Sequence, residues 1–181
     1  GNDIGLSGLS FLKTDDSLDL PDIQMHFVGS LLKDHGKTRP ESHAFSNHVC
    51  MLRPESRGYI ALKSLDPTIQ PIIQPNYFST QKDRDTMIKG VKMSREIINQ
   101  SAFDEYRGEE INPGQHIQSD QDIEDYIRGH AETIYHPVGT CKMGNDDTSV
   151  VSDKLKVHGI ENLRIVDASI CLLYTSPSPR D

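Results

Sequence analysis

The segment from Thr80 to Gln100 constrains the fold most. Thr80 followed by Asp83 is a helix-start signal, and Met87, Ile88, Val91, Ser94, Ile97 and Ile98 then recur on one face at helical spacing. The pattern predicts a helix from about Gln81 to Gln100. A second signal, Ser119 with Asp122, introduces Ile123, Tyr126, Ile127, His130 and Ala131 at i, i+3, i+4, i+7 and i+8, a shorter helix. Upstream, Ile23, Met25 and Phe27 alternate with Gln24 and His26 in the period-two pattern of a half-buried strand. The apolar run Val49 to Leu52 reads as a second strand, stopped by Pro54. Gly58 to Lys63 and Ile69 to Ile73 read as a third and a fourth, a hairpin turned at Asp66-Pro67. Pro71 removes a ladder donor from the fourth, which places it at an edge or a bulge. Gly1 to Leu20, with a short apolar patch at Leu9 to Leu12, reads as loop, and Lys33 to Asn47 as a polar connection. Strands first, helices next and an apolar late strand at Asn162 to Val166 predict the α+β class, built mainly on an antiparallel sheet.

The 181 residues suffice for one domain with a real core. A formal charge of −8 argues against a nucleic-acid partner, whose phosphates call for clustered Lys and Arg. No apolar run approaches the ~20 residues of a membrane helix, so no membrane span is expected. Cys50, Cys141 and Cys171 form neither a CxxC pair nor a disulfide-dense framework. No targeting signal is readable at Gly1-Asn2-Asp3, and the compartment stays open.

Two stretches carry chemistry. In Tyr135-His136-Pro137-Val138-Gly139-Thr140-Cys141-Lys142-Met143-Gly144, a histidine stands directly before a proline, which biases its backbone toward extended geometry on a strand end or loop. Gly139 and Gly144 permit tight turns or close backbone approach. The second stretch is Asn162-Leu163-Arg164-Ile165-Val166-Asp167-Ala168-Ser169-Ile170, an apolar run ending in Asp-Ala-Ser.

Together these stretches resemble the C-terminal signature of the glucose-methanol-choline (GMC) oxidoreductases. Arg53-Pro54-Glu55-Ser56-Arg57-Gly58-Tyr59-Ile60, then Gln74-Pro75-Asn76-Tyr77-Phe78, then Lys82-Asp83-Arg84-Asp85 extend the likeness in the family's order. They are similar to landmarks of its arthropod, FAD-and-quinone glucose dehydrogenase-like branch. The resemblance runs from about Pro21 to Ile170 as one substrate or catalytic domain, and it implies a strand given to an FAD-binding domain. It implies FAD as cofactor, a small-molecule alcohol or sugar as substrate, and oxygen or quinone as electron acceptor. By resemblance His136 is the base that takes the hydroxyl proton, and Asp167 and Ala168 approach the FAD. A base suits that chemistry, because hydride leaving a carbinol carbon is downhill only if the hydroxyl proton also leaves.

Other features bound the reading. No G-x-G-x-x-G turn occurs, although a dinucleotide's pyrophosphate needs such a turn, so the sequence is expected to be a C-terminal portion of a longer chain. Residues 1–20 would be a loop remnant. Cys171 to Asp181 departs from the family, which continues with Pro and a Ser-Gly-Asn-Thr turn, and is expected to be a non-family tail. His130-Ala131-Glu132 with Pro137 and Cys141 faintly resembles a zinc-deaminase order but fails on spacing, so no metal site is expected. His26, His35, His43, His48, His116 and His158 read as surface or locally hydrogen-bonded groups. The alternative function is a non-catalytic binding module, or an inactive fragment lacking the flavin-binding half.

Overall fold

The computed structural model describes residues 8–31 and 43–171. The expected tail from residue 172 on, most of the polar connection and His35 lie outside the described residues, as do residues 1–7. The chain forms two compact units, one comprising residues up to Arg57 with Asn76–Ala131, the other Gly58–Pro75 with the chain from Glu132 on.

In the first unit, strands β1 (Gly8–Leu12), β2 (Ile23–Val28) and β3 (Ser46–Met51) make an antiparallel sheet in that order. The register sets Met25 between Ser10 and Val49, and His26 between Leu9 and His48. Because side chains alternate across a strand, Ile23 and Met25 share one face and are fully buried. Helix α1 (Gln81–Ile98) lies on this face and supplies Met87 and Ile88, while α2 (Asp120–His130) packs on α1 with Ile123 and Ile127. Both helices start as the sequence predicts. Thr80 Oγ1 accepts the Asp83 amide at 3.2 Å, and Ser119 with Asp122 forms a reciprocal capping box. The α+β class and its antiparallel pairing are as expected.

One strand was not. Gly8–Leu12, expected to be loop, is β1, paired with β2 along its whole length. Its alternation is masked in the sequence because Gly8, Ser10 and Leu12 turn inward while the larger Leu9 and Phe11 stay about half exposed.

Three of the motif landmarks prove to be one fastening. Asp83 is 1% exposed, and its carboxylate accepts the amides of Glu55 and Ser56, each at 2.8 Å. Ser56 Oγ accepts the Ser79 amide, Lys82 pairs with Glu55, and Asn76 Nδ2 donates to the Arg57 carbonyl at 3.1 Å. The chain around Glu55 is thereby tied to the start of α1. Burial pushes the Asp83 pKa up, but the Glu55 and Ser56 amides and the Ser56 and Thr80 hydroxyls outweigh it and hold the carboxyl below its usual value. A lowered native pKa stabilises the fold above the unfolded value of about 3.9, and that stability is lost as pH falls through the native pKa. Asp83→Ala should therefore cost about 3 kcal/mol at neutral pH, since the part-buried amides of Glu55 and Ser56 lose their acceptor. Denaturant unfolding from pH 6 down to pH 2 checks this: the native chain should lose more stability on acidification than Asp83→Asn, and equal slopes would contradict the account.

The second unit contains the expected hairpin, β4 (Tyr59–Ala61) with β5 (Ile72–Gln74), paired Tyr59 to Gln74 and Ile60 to Ile73. The fourth strand begins just after Pro71, so the proline sits outside the ladder rather than within it. Downstream the chain is irregular and held by single bridges, Met143 to Val151, Val151 to Val157 and Lys156 to Arg164, around the fully buried Val151. Asn162 to Val166, expected to be a strand, makes only the Arg164 bridge, because among the described residues no strand runs beside it. No described helix is long and apolar enough to cross a membrane.

Candidate functional site

The site is built in the second unit from the two chemical stretches. His136 stands on exposed, irregular backbone between Glu132 and Gly139. Its neighbour Tyr135 has φ +65°, a left-handed conformation that bulky residues rarely adopt, and donates its amide to Thr133 Oγ1 at 3.0 Å. Gly139, at φ +88°, turns the chain, and a Cβ there would lie 3.5 Å from the Cys171 carbonyl oxygen. Of the strand end or loop expected from His136-Pro137, the structure has the loop.

Beyond Gly139 the chain is gripped from two sides. The Cys141 amide donates to the Ser169 carbonyl at 3.0 Å and the Met143 amide to Ile170 at 2.9 Å. On the other side the Lys142 carbonyl accepts the amides of Val150 and Val151, and the Gly144 amide donates to Val151 at 3.0 Å. The two stretches that the sequence singles out therefore lie side by side, joined through their backbones.

Asp167 and Ala168 stand at the near end of the second stretch. Asp167 is extended and exposed, and its carboxylate accepts the Ser169 amide at 2.9 Å, capping the 3₁₀ turn Ala168–Ile170. Hydrogen bonds from Ser169 hold its pKa below the usual carboxylate value, so at neutral pH it is a charge committed to shaping this turn. Ala168 is exposed and presents only a methyl group.

Among the other histidines, His130 stacks on Tyr126 and donates Nδ1–H to the Tyr126 carbonyl at 2.9 Å. His158 was expected to be surface or locally bonded; it is exposed, and its Nε2–H donates to the Gly144 carbonyl at 2.9 Å, at the end of the His136 stretch. A lone histidine 14 residues from its acceptor gives no signal in the sequence. Lys142 pairs with Asp146, whose carboxyl is held well below the usual range, chiefly by the Thr148 hydroxyl and then by Lys142. Among the described residues no three His, Cys, Asp or Glu side chains gather where they could hold a metal ion.

Residues 54–180 match a family model described as GMC oxidoreductase. The chain belongs to the GMC oxidoreductase family. Its curated relatives include the oxygen-dependent choline dehydrogenases of Cronobacter sakazakii, 43% identical over 94% of this chain and 31% of the relative, and of Acinetobacter baumannii strain AYE, 44% identical over 88% and 29%. Solved structures similar to it include pyridoxine 4-oxidase from Mesorbium loti, with TM-score 0.79, 27% identity, and coverage of 90% of this chain and 32% of that one. A formate oxidase of Aspergillus oryzae RIB40, in a structure concerned with FAD modification, has TM-score 0.71 and 30% identity over 84% and 28%. This GMC chain spans about a third of the length of the curated relatives it matches.

Proposed function

We propose that this chain is the proton-handling part of an FAD-dependent oxidoreductase that oxidises the CH–OH group of a small alcohol. The observation that carries the reading is the backbone pairing of the His136 stretch with the Asp167-Ala168 turn, which mounts a candidate base and a candidate cofactor contact on one framework. In this role His136 accepts the hydroxyl proton at an imidazole nitrogen, and the carbinol oxygen keeps the electron pair that becomes the carbonyl π bond. FAD, when bound, supplies the acceptor for the hydride of the carbinol carbon.

The residues present fit part of a flavin shell. Gly139 has no side chain and Ala168 only a methyl group, and they stand on paired segments whose backbone a flat ring system can approach. The pyrophosphate end needs a Gly-rich turn that this sequence does not contain, so in this reading the rest of a longer protein holds it. Asp167 acts by fixing the turn that presents Ala168.

The substrate is a small molecule. The relatives' names favour testing choline and pyridoxine, while the glucose dehydrogenase-like motifs favour a sugar. Turnover of choline, pyridoxine and glucose by the full-length flavin-loaded protein, with oxygen and then a quinone as acceptor, tests the proposal. It predicts that at least one CH–OH donor is oxidised to its carbonyl. Carbonyl formation that persists equally after removal of the flavin would overturn it.

A further inference from the structure

We propose that His158 is a positioning residue for the His136 loop. This rests on the reading of His136 as the base. Cys141 to Gly144 is held through its backbone. Three amides of this segment, those of Cys141, Met143 and Gly144, donate to Ser169, Ile170 and Val151, and the Lys142 carbonyl accepts from Val150 and Val151. All of these bonds are backbone to backbone, so the side chains of the residues concerned do not specify them. The bond from His158 Nε2 to the Gly144 carbonyl is different, because a side chain makes it.

Its placement gives it leverage. Gly144 ends the segment, and the bulk of a Cβ there would lie 2.5 Å from Ser149 Oγ. The His158 amide donates to the Val150 carbonyl at 3.0 Å, so the ring is carried on backbone that itself pairs with the strip holding Lys142. His158 therefore closes a loop of bonds running from Gly144 through Val151 and Val150 and back. At the other end of this strip are Gly139 and His136. A carbonyl only accepts, so Nε2–H is the donor in this clamping bond.

The test compares His158→Phe, which keeps a flat ring but has no donor, with His158→Gln, whose amide nitrogen stands the same number of bonds from Cβ as Nε2. Both are made in the full-length flavin-loaded protein, with His136→Ala as the control. Hydrogen exchange reports on the clamp, and the rate of flavin reduction per bound flavin reports on its effect. In His158→Phe the Met143 and Gly144 amides should exchange about tenfold faster and the rate per flavin should fall about fivefold to tenfold, with KM nearly unchanged. His158→Gln should restore both. A purely structural role would lower the amount of folded, flavin-loaded protein and leave the rate per flavin as it was, which would overturn the proposal. So would His158→Gln as impaired as His158→Phe, or a change in only one of the two readouts. If His136→Ala keeps its turnover, the base assignment fails and the positioning role fails with it. If His136→Ala is inactive while His158→Phe reduces flavin at the native rate, the positioning role alone fails.

Discussion

His136→Ala in the full-length protein should lower kcat by about 100-fold to 10,000-fold, the usual worth of a positioned base, with KM changed by much less. The split follows from the role. In the proposed role the imidazole is needed when the hydroxyl proton leaves, and an interaction made only then lowers kcat rather than raising KM. His136→Gln should be nearly as impaired, because an amide can hydrogen-bond a hydroxyl but cannot take its proton. His136 is exposed on irregular backbone, so neither variant disturbs a packed core, and flavin content and melting temperature should stay near the native values. Steady-state kinetics normalised to bound flavin check this. A variant that keeps native kcat would remove His136 from the mechanism.

The second large effect concerns the fold. Gly58→Ala should destabilise the chain by about 3 kcal/mol or more, at the upper end of what overpacking costs. A Cβ at residue 58 would lie 2.1 Å from the Gln74 carbonyl oxygen and 2.6 Å from that of Pro75. Both are backbone atoms beside β5, so no rotamer change relieves the clash. The neighbouring register, Tyr59 to Gln74 and Ile60 to Ile73, must shift instead. Thermal unfolding should show a midpoint lower by about 6–12 °C for a chain of this size. Gly129→Ala is the matched control: it lies in α2, a Cβ there meets nothing within 4 Å, and the better helix propensity of alanine should leave stability equal or slightly higher. Equal melting temperatures for Gly58→Ala and the native chain would show that the hairpin tolerates a side chain at this place.

Gly58 also illustrates which parts of the molecule the sequence discloses. The motif Arg57-Gly58-Tyr59 is visible as a landmark, but its reason is a close approach by backbone 16 residues later, and a carbonyl oxygen leaves no mark in the residue pattern. Helices α1 and α2 are legible because their caps and their apolar spacing are local to each segment. Strand β1 is not, since its pairing with β2 is non-local and its inward residues include Gly8 and Ser10. Asn162 to Val166 errs the other way: its residues favour a strand, but strand formation needs a partner, and the described residues supply only Lys156.

The same division runs through the site. His136, Asp167 and Ala168 are legible as motif positions, as in the first unit Thr80 with Asp83 is legible as a cap. The bonds that assemble them are not: Cys141 to Ser169, Met143 to Ile170, Asp83 to the Glu55 and Ser56 amides, and His158 to Gly144 all join segments 14 to 28 residues apart. Each has a backbone group at one end at least, and backbone groups are the same at every non-proline residue.

Anaerobic mixing of the full-length, FAD-loaded protein with choline, pyridoxine or glucose tests the central claim most directly, with flavin absorbance followed in the native protein and in His136→Ala. The account predicts that one of these alcohols bleaches the flavin in the native protein, with one carbonyl product formed per flavin reduced, and that His136→Ala bleaches at least about 100-fold more slowly. Equal bleaching rates in the two proteins, or a carbonyl product formed while the flavin stays oxidised in the absence of any other acceptor, would contradict it.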